Sequence, residues 1–85
     1  MRNLIQGGES VARFKLLLQL TKISSEGVQD ALQDYLCKGY SDTASAALNG
    51  VQLSNFNRAL HKLNDVAAII EQIKDLDWQH LKSVK

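Results

Sequence analysis

The stretch that decides the fold is DTASAALNGVQLSNFNRALHKL, which occupies residues 42–63. It contains two short helical patterns separated by Asn49-Gly50, a turn signal, because glycine adopts positive φ without steric cost. A helix-turn-helix needs a small residue in its first helix, a glycine in its turn and apolar residues that fix its second helix. The residues that meet these needs in order are Ala46, Gly50, Val51 and Phe56. We therefore predict a helix-turn-helix from about residue 42 to residue 63.

The outward face of the second helix carries amides, hydroxyls and cations, and no carboxylate occurs between Thr43 and Asn64. Asn and Gln can pair with adenine and Arg with guanine, whereas Ser and Lys suit phosphates. A helix that meets only solvent more typically mixes Glu with Lys. We therefore predict that seven residues contact DNA: Gln52, Ser54, Asn55, Asn57, Arg58, His61 and Lys62.

Within this set, Arg58 is the strongest candidate for reading a base and Lys62 for binding a phosphate. Each of the seven, taken alone, is equally well explained as a solvated polar position. For His61 simple exposure to solvent is the favoured interpretation.

The remaining sequence predicts further helices around this motif. Apolar residues recur at helical spacing from about Ser10 to Thr21, and a second helix is capped by Ser24 or Ser25 and ends at Lys38-Gly39. Ser41 caps the first helix of the motif, Asp42 to about Leu48, and the next helix starts near Ser54, another cap candidate. We predict a frayed segment over residues 1–8.

The apolar series that follows Leu63 stays nearly in phase with the preceding helix, but Asn64-Asp65 could cap a new one. We favour a break or bend at this dipeptide. The predicted fold class is therefore all-α, a small helix-turn-helix bundle of four to five helices without a wing. We expect one domain that spans residues 1–85.

The apolar content, 45% of the residues, exceeds what so short a chain can bury by itself. A monomer of this size buries only about 60–65% of its unfolded surface. The first predicted helix is also apolar around more than one face, which calls for a second covering surface. We therefore predict a homodimer or higher oligomer, with contacts from Val11, Leu16, Leu20, Ile69, Ile73 and Trp78.

Other function classes find little support. The single cysteine, Cys37, excludes an internal disulfide, and His61 and His80 are too far apart in sequence to form a ligand pair. No glycine-rich phosphate loop or Cys–His pair points to an enzyme, so we expect no cofactor, no metal and no small-molecule substrate. The longest apolar run, 66–70, is too short for a membrane span, and a signal peptide is not evident. We expect a cytoplasmic protein.

Three strings carry a family resemblance. They are Asp34-Tyr35-Leu36-Cys37-Lys38-Gly39-Tyr40-Ser41, Gly50-Val51, and Ser54 to Leu63 with its aromatic-x-x-Ala-Leu-x-x-Leu pattern. Over roughly residues 12–75 the chain resembles the PapB/FaeB-type adhesin biosynthesis regulators. The resemblance implies a bacterial transcription regulator of a fimbrial operon that binds A/T-rich double-stranded DNA and assembles as oligomers along it.

One segment departs from that family pattern. Where members carry basic residues just after Gly-Tyr-Ser, this chain has residues 42–45, Asp-Thr-Ala-Ser. The start of the first motif helix should therefore bind the DNA backbone more weakly here, since each lost phosphate contact flattens the salt dependence by about one unit.

A second interpretation stays open. The net charge is only +1, and the first helix is more apolar than a small core requires. Both features also suit a helical protein-interaction module, an adaptor or an antagonist of another regulator, that does not itself bind DNA.

Overall fold

The structure, a computed structural model, describes residues 4–83, without the side chains of residues 82 and 83. These residues form four helices and no strand. The helices are α1 (Val11–Gln19), α2 (Glu26–Leu36), α3 (Asp42–Leu48) and α4 (Leu53–Ser83). The predicted all-α bundle of four to five helices is confirmed, with four helices in the part described.

The first three helices begin at serine N-caps. The Oγ atoms of Ser10, Ser25 and Ser41 accept hydrogen bonds from the third backbone N–H of α1, α2 and α3. Each bond satisfies an N–H that has no partner inside the helix. The fourth predicted cap is wrong: α4 starts at Leu53, with the Gln52 carbonyl accepting from the Phe56 N–H at 3.0 Å, so Ser54 lies within its first turn.

The core lies where α1, α2 and α3 meet the first half of α4. Its largest fully buried side chains are Phe14, Leu32, Leu36, Phe56 and Leu63. Burying each of these side chains contributes about 1.5–3 kcal/mol relative to exposure. This contact fixes how α4 is rotated about its axis.

The break predicted at Asn64-Asp65 is wrong, because α4 runs through this dipeptide as one helix of 31 residues. The side-chain Oδ1 of Asn64 accepts a hydrogen bond from the Leu4 backbone N–H at 3.2 Å. Leu63 and Ala67 remain buried on the two sides of it. Asn64 thus binds the backbone of the N-terminal segment instead of capping a new helix.

The predicted fraying of residues 1–8 is wrong for the part described, residues 4–8. The N–H groups of Gly7 and Glu9 donate to the carbonyls of Tyr35 and Leu36 at 2.9 and 3.0 Å. These carbonyls belong to the last turn of α2, where no partner exists inside the helix. The first three residues lie outside the described part of the chain.

Gly7 makes this segment possible. It has φ +70°, and a Cβ there would lie 3.0 Å from the Cα of Gly39. Only a residue without a side chain brings the two backbones so close. The Gln6 side-chain amide then donates to the Gly39 and Tyr40 carbonyls, at 3.0 and 3.1 Å, which ties the segment to the corner between α2 and α3.

An ion-pair network joins α1 to α4. Arg13 contacts Glu9 at 2.6 Å and Glu71 at 3.2 Å, and Lys74 lies 3.6 Å from the same Glu71 oxygen. The Glu9 side chain is fully buried, so its charge is balanced by the guanidinium. The network positions α1 against the middle of α4.

The described residues contain neither a membrane-spanning helix nor a metal-binding cluster. Within residues 4–83, no helix is both long and apolar enough to cross a lipid bilayer. The same residues contain no cluster of three or more histidine, cysteine or carboxylate side chains that could hold a metal ion.

Candidate nucleic-acid interface

The turn between α3 and α4 is closed by backbone hydrogen bonds. The Val51 N–H donates to the Ala46 carbonyl at 2.9 Å, and the Gly50 N–H donates to the Ala47 carbonyl at 3.2 Å. Gly50 has φ +65°, the left-handed conformation that glycine adopts without strain. Ala46 is buried and Val51 packs against the core. Of the four residues proposed to build the motif, Gly50 thus forms the turn, while Ala46, Val51 and Phe56 belong to the core or pack against it.

Asp34 of α2 anchors the same turn through a hydrogen bond with Asn49. The Asn49 side-chain amide donates to Asp34 Oδ2 at 2.9 Å and to the Ser45 carbonyl at 2.8 Å. The Asn49 hydrogen bond lowers the pKa of Asp34, and Lys38 at 3.2 Å adds to this effect against the opposing effect of burial. Sequence reasoning treated Asn49 only as a turn former. The pairing was not predicted because Asp34 lies fifteen residues earlier.

The start of α2 packs directly against this turn. A Cβ at Gly27 would lie 3.2 Å from the Asn49 carbonyl oxygen and 3.4 Å from Val51 Cγ2. A Cβ there would shift the turn by a few tenths of an ångström, so glycine allows the closer contact. As a result, α2 holds the turn at two points. Gly27, near the start of the helix, contacts the turn, and Asp34, near the end of the helix, accepts a hydrogen bond from Asn49.

The string that carries the family resemblance builds the corner between α2 and α3. Leu36 is fully buried, and Gly39 reverses the chain at φ +82°. The Tyr35 ring meets Phe56 edge to face, with 5.5 Å between centroids and 80° between planes. This aromatic pair links the corner to α4, so the string determines how the second helix of the motif is seated.

All seven residues predicted to contact DNA are exposed. Gln52 directly precedes α4, and the other six lie on its first three turns, away from buried Phe56, Ala59 and Leu63. Arg58 and Lys62 form no ion pair with any other described residue. The structure therefore exposes six of these side chains on the acid-free first turns of α4, with Gln52 directly before them.

Three of these seven residues line a groove of about 310 Å³. One wall is the connection between α1 and α2, and the other is α4. Asn55, Arg58 and Lys62 line the groove, together with Ile23, Ser24, Ser25, Val28 and Ala59. The other four predicted residues lie outside it. Sequence reasoning did not assign Ser24 or Ser25 to the interface, because it had considered them only as caps.

The residues predicted for a dimer contact are all exposed, by 42% to 62%: Val11, Leu16, Leu20, Ile69, Ile73 and Trp78. Leu16 and Leu20 line an apolar groove of about 370 Å³ between α1 and α4, with Leu17 and Ile70 beside them. Arg13 and Lys74 complete its lining. Of the six residues predicted for a dimer contact, Leu16 and Leu20 line this groove, and the other four lie outside it.

Cys37 is partly buried at the end of α2 and packs against the core. Burial raises the pKa of its thiol, and the Glu9 carboxylate raises it further. Both effects disfavour the reactive thiolate.

Residues 1–76 match a family model described as PapB, adhesin biosynthesis transcription regulatory protein. No curated protein sequence matches the chain significantly. Among solved structures, the crystal structure of E. coli FocB at 1.4 Å resolution is similar, with a TM-score of 0.80. It is 24% identical, and the match covers 87% of this chain and 84% of FocB. At this identity the likeness shows a shared fold.

The family match extends from the N-terminal segment, through the helix-turn-helix, to the second half of α4. It includes all three strings on which the sequence resemblance was based, and it confirms that resemblance. The chain belongs to the PapB family of adhesin biosynthesis transcription regulatory proteins.

Proposed function

We propose that this transcription regulator binds DNA itself, through the exposed face at the start of α4, at a fimbrial or adhesin operon. The observation that carries the proposal is the acid-free face of a helix whose rotation is fixed by buried Phe56. The double-stranded target is A/T-rich, as the family resemblance implies. The role is binding in the cytoplasm, where the DNA is, and not catalysis.

The charges on this face support the proposal. Arg58 and Lys62 are exposed and free of ion pairs with other described residues, and the first turn of α4 contains no acidic residue. Positive side chains and a helix N-terminus both favour the approach of phosphates. Neutral amides and hydroxyls around them supply the donors and acceptors that base edges require.

A footprint on the DNA upstream of the gene tests the proposal. We expect protection of A/T-rich repeats, and binding that weakens steeply with salt. Arg58→Ala should weaken binding, whereas Lys74→Ala should not. Lys74 is a matched control because it lies on the same helix, about 18 Å beyond Lys62 at 1.5 Å per residue. A wild-type protein that leaves the DNA unprotected would contradict the proposal.

We also propose a homodimer or higher oligomer that covers the exposed apolar side chains. Val66, Ile69, Ile73 and Leu76 follow one another at spacings of three, four and three, the pattern of a seam between paired helices. Sedimentation should show a dimer at tens of micromolar. A clean monomer at that concentration would refute it. A two-fold dimer would place two DNA-binding faces about 34 Å apart.

The interaction module remains the second candidate, favoured by the net charge of +1 and by the exposed apolar residues at the end of α4. It predicts no retardation of DNA at about 100 mM salt, and a stable complex with a different protein instead. The same binding titration decides between the two functions.

A further inference from the structure

The groove between the α1–α2 connection and α4 differs in shape from the rest of the DNA-binding face. Asn55, Arg58 and Lys62 follow one another at spacings of three and four on α4, so their side chains stack along one side of the helix. Ser24 and Ser25 lie on the opposite wall. The polar groups of the two walls therefore face a shared concave space.

Shape separates the two ways in which a protein meets DNA. Base edges lie at the bottom of the DNA grooves, so a convex element such as a helix crest reads them. Phosphates lie along the raised backbone, so a concave surface can enclose them. A groove with protein on both sides therefore suits a phosphate better than a base edge.

We propose that this groove holds one backbone phosphodiester of the bound DNA. Arg58 and Lys62 donate charged hydrogen bonds from the α4 wall, and the hydroxyls of Ser24 and Ser25 donate from the other wall. The inference rests on the proposed DNA binding and refines it, because Arg58 becomes a backbone contact instead of a base contact. Four of the predicted residues are left for base edges: Gln52, Ser54, Asn57 and His61.

The apolar residues in the groove strengthen such a contact. Ile23, Val28 and Ala59 also line the groove, so a bound phosphate would face apolar side chains on part of its surface instead of water. Charged hydrogen bonds gain strength where the local dielectric constant falls. Ser25 can accept from the Val28 N–H, as it does at 3.4 Å, and still donate its own hydroxyl hydrogen.

Affinity and its salt dependence test the assignment. The probes are a duplex with A/T-rich repeats and a G/C-rich duplex of equal length. Arg58→Ala and Lys62→Ala should each weaken binding to both duplexes by a similar factor, about tenfold. Each should also reduce the slope of log affinity against log salt by about one unit. Ser24→Ala should cost about threefold, and the control Lys74→Ala should change neither quantity.

A neutral methylphosphonate placed at one linkage at a time then locates the phosphate. We expect one linkage in each binding site where the substitution weakens the wild type but leaves an Arg58→Ala, Lys62→Ala double variant unaffected. Sensitivity of the double variant at every linkage that matters to the wild type would overturn the inference.

The outcomes separate this inference from the proposed function. If Arg58→Ala weakens only the A/T-rich duplex and leaves the salt slope unchanged, Arg58 reads a base. DNA binding then stands and the phosphate assignment falls. If the wild type binds neither duplex, the proposed function itself fails and the phosphate site fails with it.

Discussion

The two ends of α4 belong to one helix, but their surroundings differ. In the packed half, Leu53–Ala67, buried side chains recur every three or four residues and contact the other three helices. In the projecting segment, residues 72–81, every residue is exposed, including Ile73, Leu76, Trp78 and Leu81. The packed half exposes a polar face, whereas the projecting segment also exposes large apolar side chains.

This difference shows which interactions hold each end of α4 in place. Burial fixes the packed half, so its outward side chains have defined positions from which to meet DNA. An isolated helix of ten residues is marginal in water. The projecting segment therefore depends on continuity with the packed half and, in our proposal, on a second copy of the chain. Two variants test this contrast, and two more test the elements packed around the first half of α4.

The largest effect is expected in the packed half, for Phe56→Ala. This ring is fully buried and meets Tyr35 edge to face. Its loss should lower the free energy of unfolding by about 3–5 kcal/mol, measured by urea denaturation followed by circular dichroism. Leu76→Ala in the projecting segment is the control, and at dilute concentration it should change stability by less than about 0.5 kcal/mol. Equal losses for both variants would remove the contrast.

The projecting segment should show its largest effect in association. Ile73→Asp places a charge on the proposed seam and should raise the dimer dissociation constant by about thirtyfold, since burying an unpaired charge costs about 2 kcal/mol or more. Sedimentation equilibrium measures it. Gln72→Asp adds the same charge one position away, about 100° around the helix, and should leave association intact. A dimer that tolerates Ile73→Asp would exclude this face.

The anchor on the turn should show a smaller effect that depends on pH. Asp34→Ala removes the hydrogen bond from Asn49 and should cost about 1–2 kcal/mol at neutral pH. Because the folded state lowers the pKa of Asp34, this stability is present above the ordinary value of 3.8 and is lost as the pH falls below it. The difference in unfolding free energy between wild type and variant should therefore shrink from about pH 4 downward.

Asp30→Ala provides the control for this anchor, since Asp30 is an exposed residue of the same helix. It should leave stability nearly unchanged at each pH. If Asp34→Ala costs no more than Asp30→Ala at neutral pH, the turn does not depend on the anchor.

The smallest expected effect is a gain in stability. Ser45 lies buried in α3, and its Oγ has no hydrogen-bond partner within the described residues. Ser45→Ala should stabilise the protein by about 0.5–1 kcal/mol, because it removes a buried unpaired hydroxyl and improves helix propensity. Thermal denaturation measures the gain. The exposed Ser54→Ala should gain less, and a loss of stability for Ser45→Ala would indicate a partner for this hydroxyl.

Local signals were sufficient to predict much of the motif. The predicted bounds of α3, Asp42 to about Leu48, agree with the structure, and so do the Ser41 cap and the positive φ of Gly50. Each of these features depends on residues within four positions of one another. Capping, helix periodicity and glycine geometry act over this range and can be read directly from sequence.

Features that depend on distant residues could not be predicted in this way. Asn64 has the residue type of a helix cap, but its oxygen receives the Leu4 N–H, sixty residues earlier in the chain. Gly7 has the residue type of a flexible segment, but it permits close contact with Gly39. The type of a residue determines which hydrogen bonds and contacts it can make, and the tertiary fold determines which of them form. The groove wall at Ser24 and Ser25 was missed for the same reason.

The uninterrupted α4 has a mechanical consequence. At 1.5 Å and 100° per residue, its 31 residues form a rod about 46 Å long, in which residue count sets the angle between any two side chains. One residue inserted after Ala67 would turn Ile69, Ile73 and Leu76 by about 100° relative to Arg58 and misalign the two DNA-binding faces of a dimer. Seven inserted residues would nearly restore the angle and move each face about 10 Å farther from these residues. Insertions in this helix are therefore expected to be tolerated best when their number nearly preserves the angle, as seven residues do.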